Sequence, residues 1–142
     1  MNILFLCVAN SARSQMAEGL AKEILGESHN IQSAGSNPSG KVHPSAIKVM
    51  QQIDIDISFN YSKSILDLDK DFLDNLDYAI TMCEEEVCPV LPTKAKKINL
   101  ANLDPDDPML NEEKLDNAFL KARKNISKQI NDFINLEKIS NL

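Results

Sequence analysis

Cys7 and Arg13, with Ser14 directly behind, are the residues of this chain whose types and spacing can do chemistry together. The six backbone amides from Val8 to Arg13 lie between the thiol and the opening of a helix. Curled around a tetrahedral oxyanion, they place peptide dipoles and the helix N-terminus toward one negative charge. Arg13 adds a planar fork that can grip two anion oxygens. The same positive surroundings favour the thiolate of Cys7, which is the reactive form of sulfur. Val8, Ala9, Asn10, Ser11, Ala12, Arg13 and Ser14 are thus the expected anion-binding residues. Small side chains at Ala9, Ser11 and Ala12 let the backbone approach the ligand, and Asn10 can fix the loop by its own hydrogen bonds. The bland alternative is an inert cysteine at a strand end beside a surface arginine.

The elements on either side argue for the chemical reading. Ile3 to Leu6 is a short apolar run suited to a buried central strand. Ala17, Leu20, Ala21 and Ile24 recur at helical spacing over Gln15 to Leu25. A second strand is expected at Asn30 to Gly35, a loop at Ser36 to His43, and a second helix from Pro44 with Ile47, Met50 and Ile53 on its buried side. His43 is read as a loop or cap residue. Residues 54–64 read as irregular, followed by a short helix from Leu68 to Leu76. Strands follow at Leu76 to Met82 and Lys97 to Leu100. Asn102 to Pro108 is a loop enforced by two prolines. The last helix is capped by Asn111 and carries a stripe of Leu115, Phe119, Ala122, Ile126, Ile130 and Phe133.

Strands alternating with helices predict an α/β fold of three layers, a four-stranded parallel sheet with helices on both faces. Ligands of such sheets bind at the carboxyl ends of the strands. The Cys7 loop, Cys83 and Asp104 all fall there. Asp104 before Pro105 can donate a proton to an oxygen leaving the substrate, although Asp107 before Pro108 offers the same dipeptide. Cys83 and Cys88 have four residues between them. On a continuous helix they would rise about 7.5 Å apart and point in different directions. A disulfide between them therefore requires the segment to be unwound. The spacing is too loose for a zinc site, and His29 and His43 have no neighbouring ligand.

The 142 residues, 43% hydrophobic and 25% charged, fit one domain spanning residues 1–142. A net charge of -6 argues against nucleic-acid and anionic-membrane partners. With no apolar run of membrane length and no positive region ahead of Ile3, a cytoplasmic chain is expected, acting as a monomer. Three cysteines make a poor disulfide framework and suit thiols used in turnover.

Cys, five residues, Arg and Ser resembles the signature of phosphatases that form a cysteinyl-phosphate. The longer match is more specific. Cys7-x2-Asn-Ser-x-Arg-Ser-Gln-Met-Ala-Glu-Gly19, Ser33-Ala-Gly35, Ile55-Asp-Ile-Ser58, Cys83 to Cys88-Pro-x-x-Pro92 and Asp104-Pro105 together resemble the thioredoxin-coupled arsenate reductases. These share the fold of the low-molecular-weight protein tyrosine phosphatases. Gln15 stands where the phosphatases usually have Pro, and Asp106 where they have an aromatic residue.

The resemblance implies that Cys7 attacks arsenate within the amide cradle, Arg13 holds the oxyanion, and Asp104 protonates the departing oxygen. Cys83 then attacks Cys7 and expels arsenite, Cys88 attacks Cys83, and thioredoxin, an external reductant rather than a bound cofactor, reduces the Cys83 to Cys88 bond. The chain departs from the pattern in three places. Ala12 replaces a frequent further cysteine, and the gap between Cys83 and Cys88 is shorter than the usual six residues. Some members bind potassium through positions matching Asn10, Glu18 and Ser33, but Lys63 occupies the fourth position and no metal is expected. Two other readings stay open. One is a phosphatase indifferent to Cys88, and the other is a redox or oxyanion sensor docking through the Cys83 to Cys88 segment.

Overall fold

The computed structural model describes residues 1–84 and 91–140. Its elements run β1 (Asn2–Cys7), α1 (Arg13–Leu25), β2 (Asn30–Gly35), α2 (Pro44–Gln51), a 3-10 turn (Ile65–Asp67), α3 (Lys70–Asp74), β3 (Tyr78–Thr81), β4 (Lys96–Asn99) and α4 (Glu112–Glu137). The four strands form one parallel sheet in the order β2-β1-β3-β4. The expected α/β architecture is the one observed.

β1 is apolar at consecutive positions because both its faces are covered. Ile3, Phe5 and Cys7 join the larger core with Met16, Leu20, Met50, Ile80, Phe119, Ile126 and Ile130, contributed by α1, α2, β3 and α4. Leu4 and Leu6 face the other way, into a smaller cluster with Ala34, Leu68, Phe72 and Leu76 around α3. The alternation follows from the two-residue period of a strand. It also decides that Cys7 leaves the sheet on the side of α1 and α4.

Several boundaries differ from expectation. α2 ends at Gln51, and its buried residues are Ala46, Val49 and Met50. Ile53 lies beyond the helix and is 38% exposed, because Asp54 turns the chain with φ of 61°. The segment expected as one helix from Leu68 to Leu76 is split. Leu68 is extended, and Asp69 caps α3 by accepting a hydrogen bond from the Asp71 amide. That local bond competes with helix continuation at residues 68 and 69. β3 is shorter than expected, since Leu76 closes a turn onto Leu73. α4 keeps the expected stripe and the Asn111 cap, which accepts from the Lys114 amide at 2.9 Å.

Candidate active site

The Cys7 loop joins the end of an inner strand to the start of α1, and its shape is set by groups far away in sequence. The carbonyl of Val8 accepts from the Asn37 amide, that of Ala9 from the Ser39 amide and the Ser62 hydroxyl, that of Asn10 from the Gln15 side chain, and that of Ser11 from the His43 amide. All the peptides among the described residues are trans. In a trans peptide the N–H points opposite to the C=O. Four carbonyls held outward therefore turn the amides of Ala9, Asn10, Ser11 and Ala12 toward the Cys7 side. The Asn10 amide does reach the Cys7 Sγ, at 3.2 Å. Sγ also lies 2.9 Å from the Ser14 hydroxyl, which in turn accepts from Asn10 Nδ2 at 2.8 Å.

Asn10 is the pivot. It is fully buried and sits at φ of 48°, a left-handed conformation that asparagine tolerates better than most residues. Its Oδ1 accepts from Gln15 Nε2 at 3.0 Å and from the Lys63 amide at 3.0 Å. Gln15 extends the web by donating to the Tyr61 carbonyl and accepting from Asn60. Gly35 ends β2 against the loop, where a Cβ would lie 2.3 Å from the Val8 carbonyl oxygen. The glycine is required by that close approach.

Arg13 is 4% exposed. Its Nη1 donates to the Asn102 carbonyl at 3.0 Å, and its Nη2 stands 3.8 Å from Asp104 Oδ2. Asn102 is itself fixed by Gln129 Oε1 at 2.6 Å and by its amide bond to the Met82 carbonyl. Asp104 is half exposed, and its Oδ1 accepts from the Asp106 amide. Asp107 instead accepts from the Met109 amide in a turn. Of the two Asp-Pro dipeptides, only the first brings its carboxylate to Arg13 among the described residues.

Cys83 lies two residues past the end of β3, which pairs directly with β1. The Met82 amide donates to the Leu6 carbonyl at 2.8 Å, so the two chains are still adjacent there. Cys7 is a free thiol, whereas Cys83 is disulfide-bonded. Cys83 is in non-helical backbone, and the segment on which the unwinding expectation bears lies outside the described residues. Cys88 and most of the acidic run at residues 84–86 fall outside the described residues.

The positions matched to a potassium site hold a different arrangement. Lys63 is buried, and its Nζ lies 3.9 Å from Glu18 Oε1, which also accepts from Ser33 at 2.7 Å. Glu18 Oε2 accepts from Lys22 at 2.8 Å, and Asn10 Oδ1 is saturated by Gln15 and Lys63. Burial pushes the Lys63 ammonium below its ordinary range, and the Glu18 charge opposes that. The oxygens that would ligate an ion are taken by N–H, O–H and ammonium donors, so these residues do not fit potassium. Among the described residues no other group of carboxylates, histidines and cysteines could hold a metal.

The motif was legible as a contiguous pattern. Gln15, Ser62 and Asn102 were not read as part of the site, and neither was the side chain of His43. Their tie to the loop is made by long-range contacts that leave no local spacing signal. The Glu18 and Lys22 pair does follow a helical i,i+4 pattern, which marks a charged face.

The family described as low molecular weight phosphotyrosine protein phosphatase matches residues 2–140. A protein named arsenate reductase 1 from Staphylococcus haemolyticus is 42% identical over 133 residues, 92% of each chain. A solved arsenate reductase in a phosphate-binding state superposes with a TM-score of 0.75 at 30% identity, over 97% of this chain and 98% of that one. A thioredoxin-dependent arsenate reductase of Corynebacterium glutamicum superposes at 0.64 with 29% identity, over 95% of this chain and 62% of the other. No helix among the described residues is long and apolar enough to cross a membrane.

Proposed function

We propose that this chain, which belongs to the low molecular weight phosphotyrosine protein phosphatase family, reduces arsenate to arsenite through three cysteines and is regenerated by thioredoxin in the cytoplasm. The observation that carries the reading is the pairing of two sulfur states at neighbouring strand ends. Cys7 is free at the oxyanion cradle, and Cys83 beside it is already engaged in a disulfide.

In the fully reduced protein the inward amides and Arg13 hold arsenate against Cys7. Asp104, held beside Arg13, gives its proton to the departing oxygen. A bond from Cys7 Sγ to arsenic forms, and water leaves. Cys83 thiolate then attacks Cys7 Sγ, the sulfur–arsenic bond breaks, and its electron pair stays on arsenic. Arsenic gains two electrons and leaves as arsenite, and the two sulfurs lose two as they join. Cys88 thiolate attacks Cys83 and releases Cys7. Thioredoxin dithiol reduces the resulting Cys83 to Cys88 bond. Each exchange depends on thiolate access and in-line approach.

The test is arsenate turnover with thioredoxin, thioredoxin reductase and NADPH, followed by mass-spectrometric mapping of the disulfides after one turnover. Cys83→Ser and Cys88→Ser are expected to abolish multiple turnover. Retained turnover in either variant refutes the relay. The second reading, hydrolysis of phosphate monoesters, is favoured by the family match and by Asp104 at Arg13. It predicts aryl phosphate hydrolysis that needs Cys7 and ignores Cys88.

A further inference from the structure

His43 was expected to be a loop or cap residue, and it caps α2 in a way that fixes the state of its ring. Nδ1 accepts from the Ser45 amide at 3.0 Å, so in the neutral ring the proton is on Nε2. Nε2 then donates to Asp106 Oδ1 at 3.2 Å. The ring plane is held against Phe119 of α4, with centroids 4.7 Å apart, and Phe119 is wholly buried. The His43 backbone amide meanwhile holds the Ser11 carbonyl of the Cys7 loop at 2.8 Å.

The far end of this contact reaches Asp104. The Asp106 backbone amide donates to Asp104 Oδ1 at 3.0 Å, which sets the rotation of that carboxyl beside Arg13. Between Asn102 and Asn111 the loop buries only Pro105, and its other residues are exposed or half-buried. Few apolar contacts then resist displacement of Asp104, and hydrogen bonds must do so.

We infer that His43 and Asp106 form a latch that positions Asp104 over the Cys7 loop, so that one residue of the α2 cap sets both the anion cradle and the proton donor. His43 and Asp106 are positioning residues acting through Asp104, and neither touches the reacting atoms. The inference rests on Asp104 being the proton donor in the function proposed above.

The test follows arsenite release in a single turnover, with fully reduced protein in excess over arsenate. Asparagine is a favoured helix cap. His43→Asn therefore keeps the cap on Ser45 and the backbone bond to Ser11, while its shorter side chain cannot span to Asp106. Asp106→Ala removes the acceptor from the other side, and Asp106→Asn retains one. Losing one such hydrogen bond should slow the first-order step about tenfold in H43N and D106A. Arsenate affinity and the urea midpoint should stay at wild-type values, and D106N should recover most of the rate. In D104N the histidine substitution should cost nothing more, because the residue it positions is gone. A wild-type rate in H43N, or losses that multiply in H43N/D104N, overturns the latch. A full rate in D104N, or no arsenite from the wild type, overturns the functional reading and the latch with it.

Discussion

Replacing Gly35 by alanine isolates how tightly the sheet edge fixes the Cys7 loop. The new Cβ would sit 2.3 Å from the Val8 carbonyl oxygen and 3.1 Å from both the backbone nitrogen and Cβ of Asn10. A carbon beside a carbonyl oxygen settles at about 3.3 Å or more, so the loop or β2 must move by roughly 1 Å. The obstacle is backbone on both sides, and Val8 O is already held by the Asn37 amide at 2.9 Å. Overpacking at about 1–3 kcal/mol and a weakened hydrogen bond at about 1 kcal/mol give a loss of roughly 2–4 kcal/mol. With a urea slope of about 2 kcal/mol/M, the midpoint should fall by about 1–2 M. A cradle displaced by about 1 Å should lose about a hundredfold in kcat/KM for arsenate. Gly19→Ala is the control. There a Cβ meets side chains rather than backbone, the Ile57 Cγ2 methyl at 2.8 Å and the Met50 Cε at 3.0 Å, of which the methionine end can give way. Overpacking of about 1–3 kcal/mol set against about 1 kcal/mol of helix propensity leaves G19A about 0–2 kcal/mol below wild type, with its activity kept. Paired urea titrations and kinetics decide the matter. A G35A protein with wild-type midpoint and activity, or a G19A protein equally damaged, refutes the idea that close backbone approach sets the loop.

Three further outcomes are expected. Asn10→Ala should lose more stability than Asn10→Gly by about 1–2 kcal/mol in urea titration, because both lose the Lys63 and Ser14 bonds but only alanine pays the left-handed backbone penalty. Equal losses would exclude a strain component at residue 10. Glu137 lies below its ordinary 4.5 chiefly through its hydrogen bond from Lys96, then from Tyr78. Its contribution is therefore fully present above pH 4.5 and lost as pH falls through the lowered folded value. Acid unfolding of Glu137→Gln should show a shallower pH dependence below that point, and an unchanged profile counts against the pair. Lys63 lies below 10.5 because burial disfavours its charge. The unfolded chain then holds the proton longer as pH rises, so this residue's cost is relieved between its folded value and 10.5. Lys63→Met should remove that alkaline increment from thermal unfolding curves, and its persistence would assign it to another group.

The sheet and the last helix were readable because their signals are periodic and local. Ile3 to Leu6 is apolar on both faces, and the Phe119 to Phe133 stripe repeats at helical spacing. The breaks at Leu68 and Ile53 were hidden for the opposite reason. A single side-chain bond from Asp69 and a left-handed Asp54 overrule the pattern of their neighbours. The site divides in the same way. Cys7, Arg13 and Ser14 are contiguous enough to be recognised, and Asp104 stood out through its proline. That Asp104 rather than Asp107 stands at Arg13, at 3.8 Å, has no local signal in the sequence. Gln15, Ser62, Asn102 and the Asp106 contact of His43 matter through partners up to 89 residues away, and nothing in their immediate neighbours announces that.

The order in which the ribosome delivers these parts has a consequence for biosynthesis. The thiol emerges among the first residues, yet the partners that hold its loop outward arrive at positions 37, 39, 43 and 62, and the anchor of Arg13 at position 102. The nascent segment can therefore carry the sulfur without the anion trap. Any fragment ending ahead of residue 37 should be as indifferent to oxyanions as an ordinary cysteine peptide.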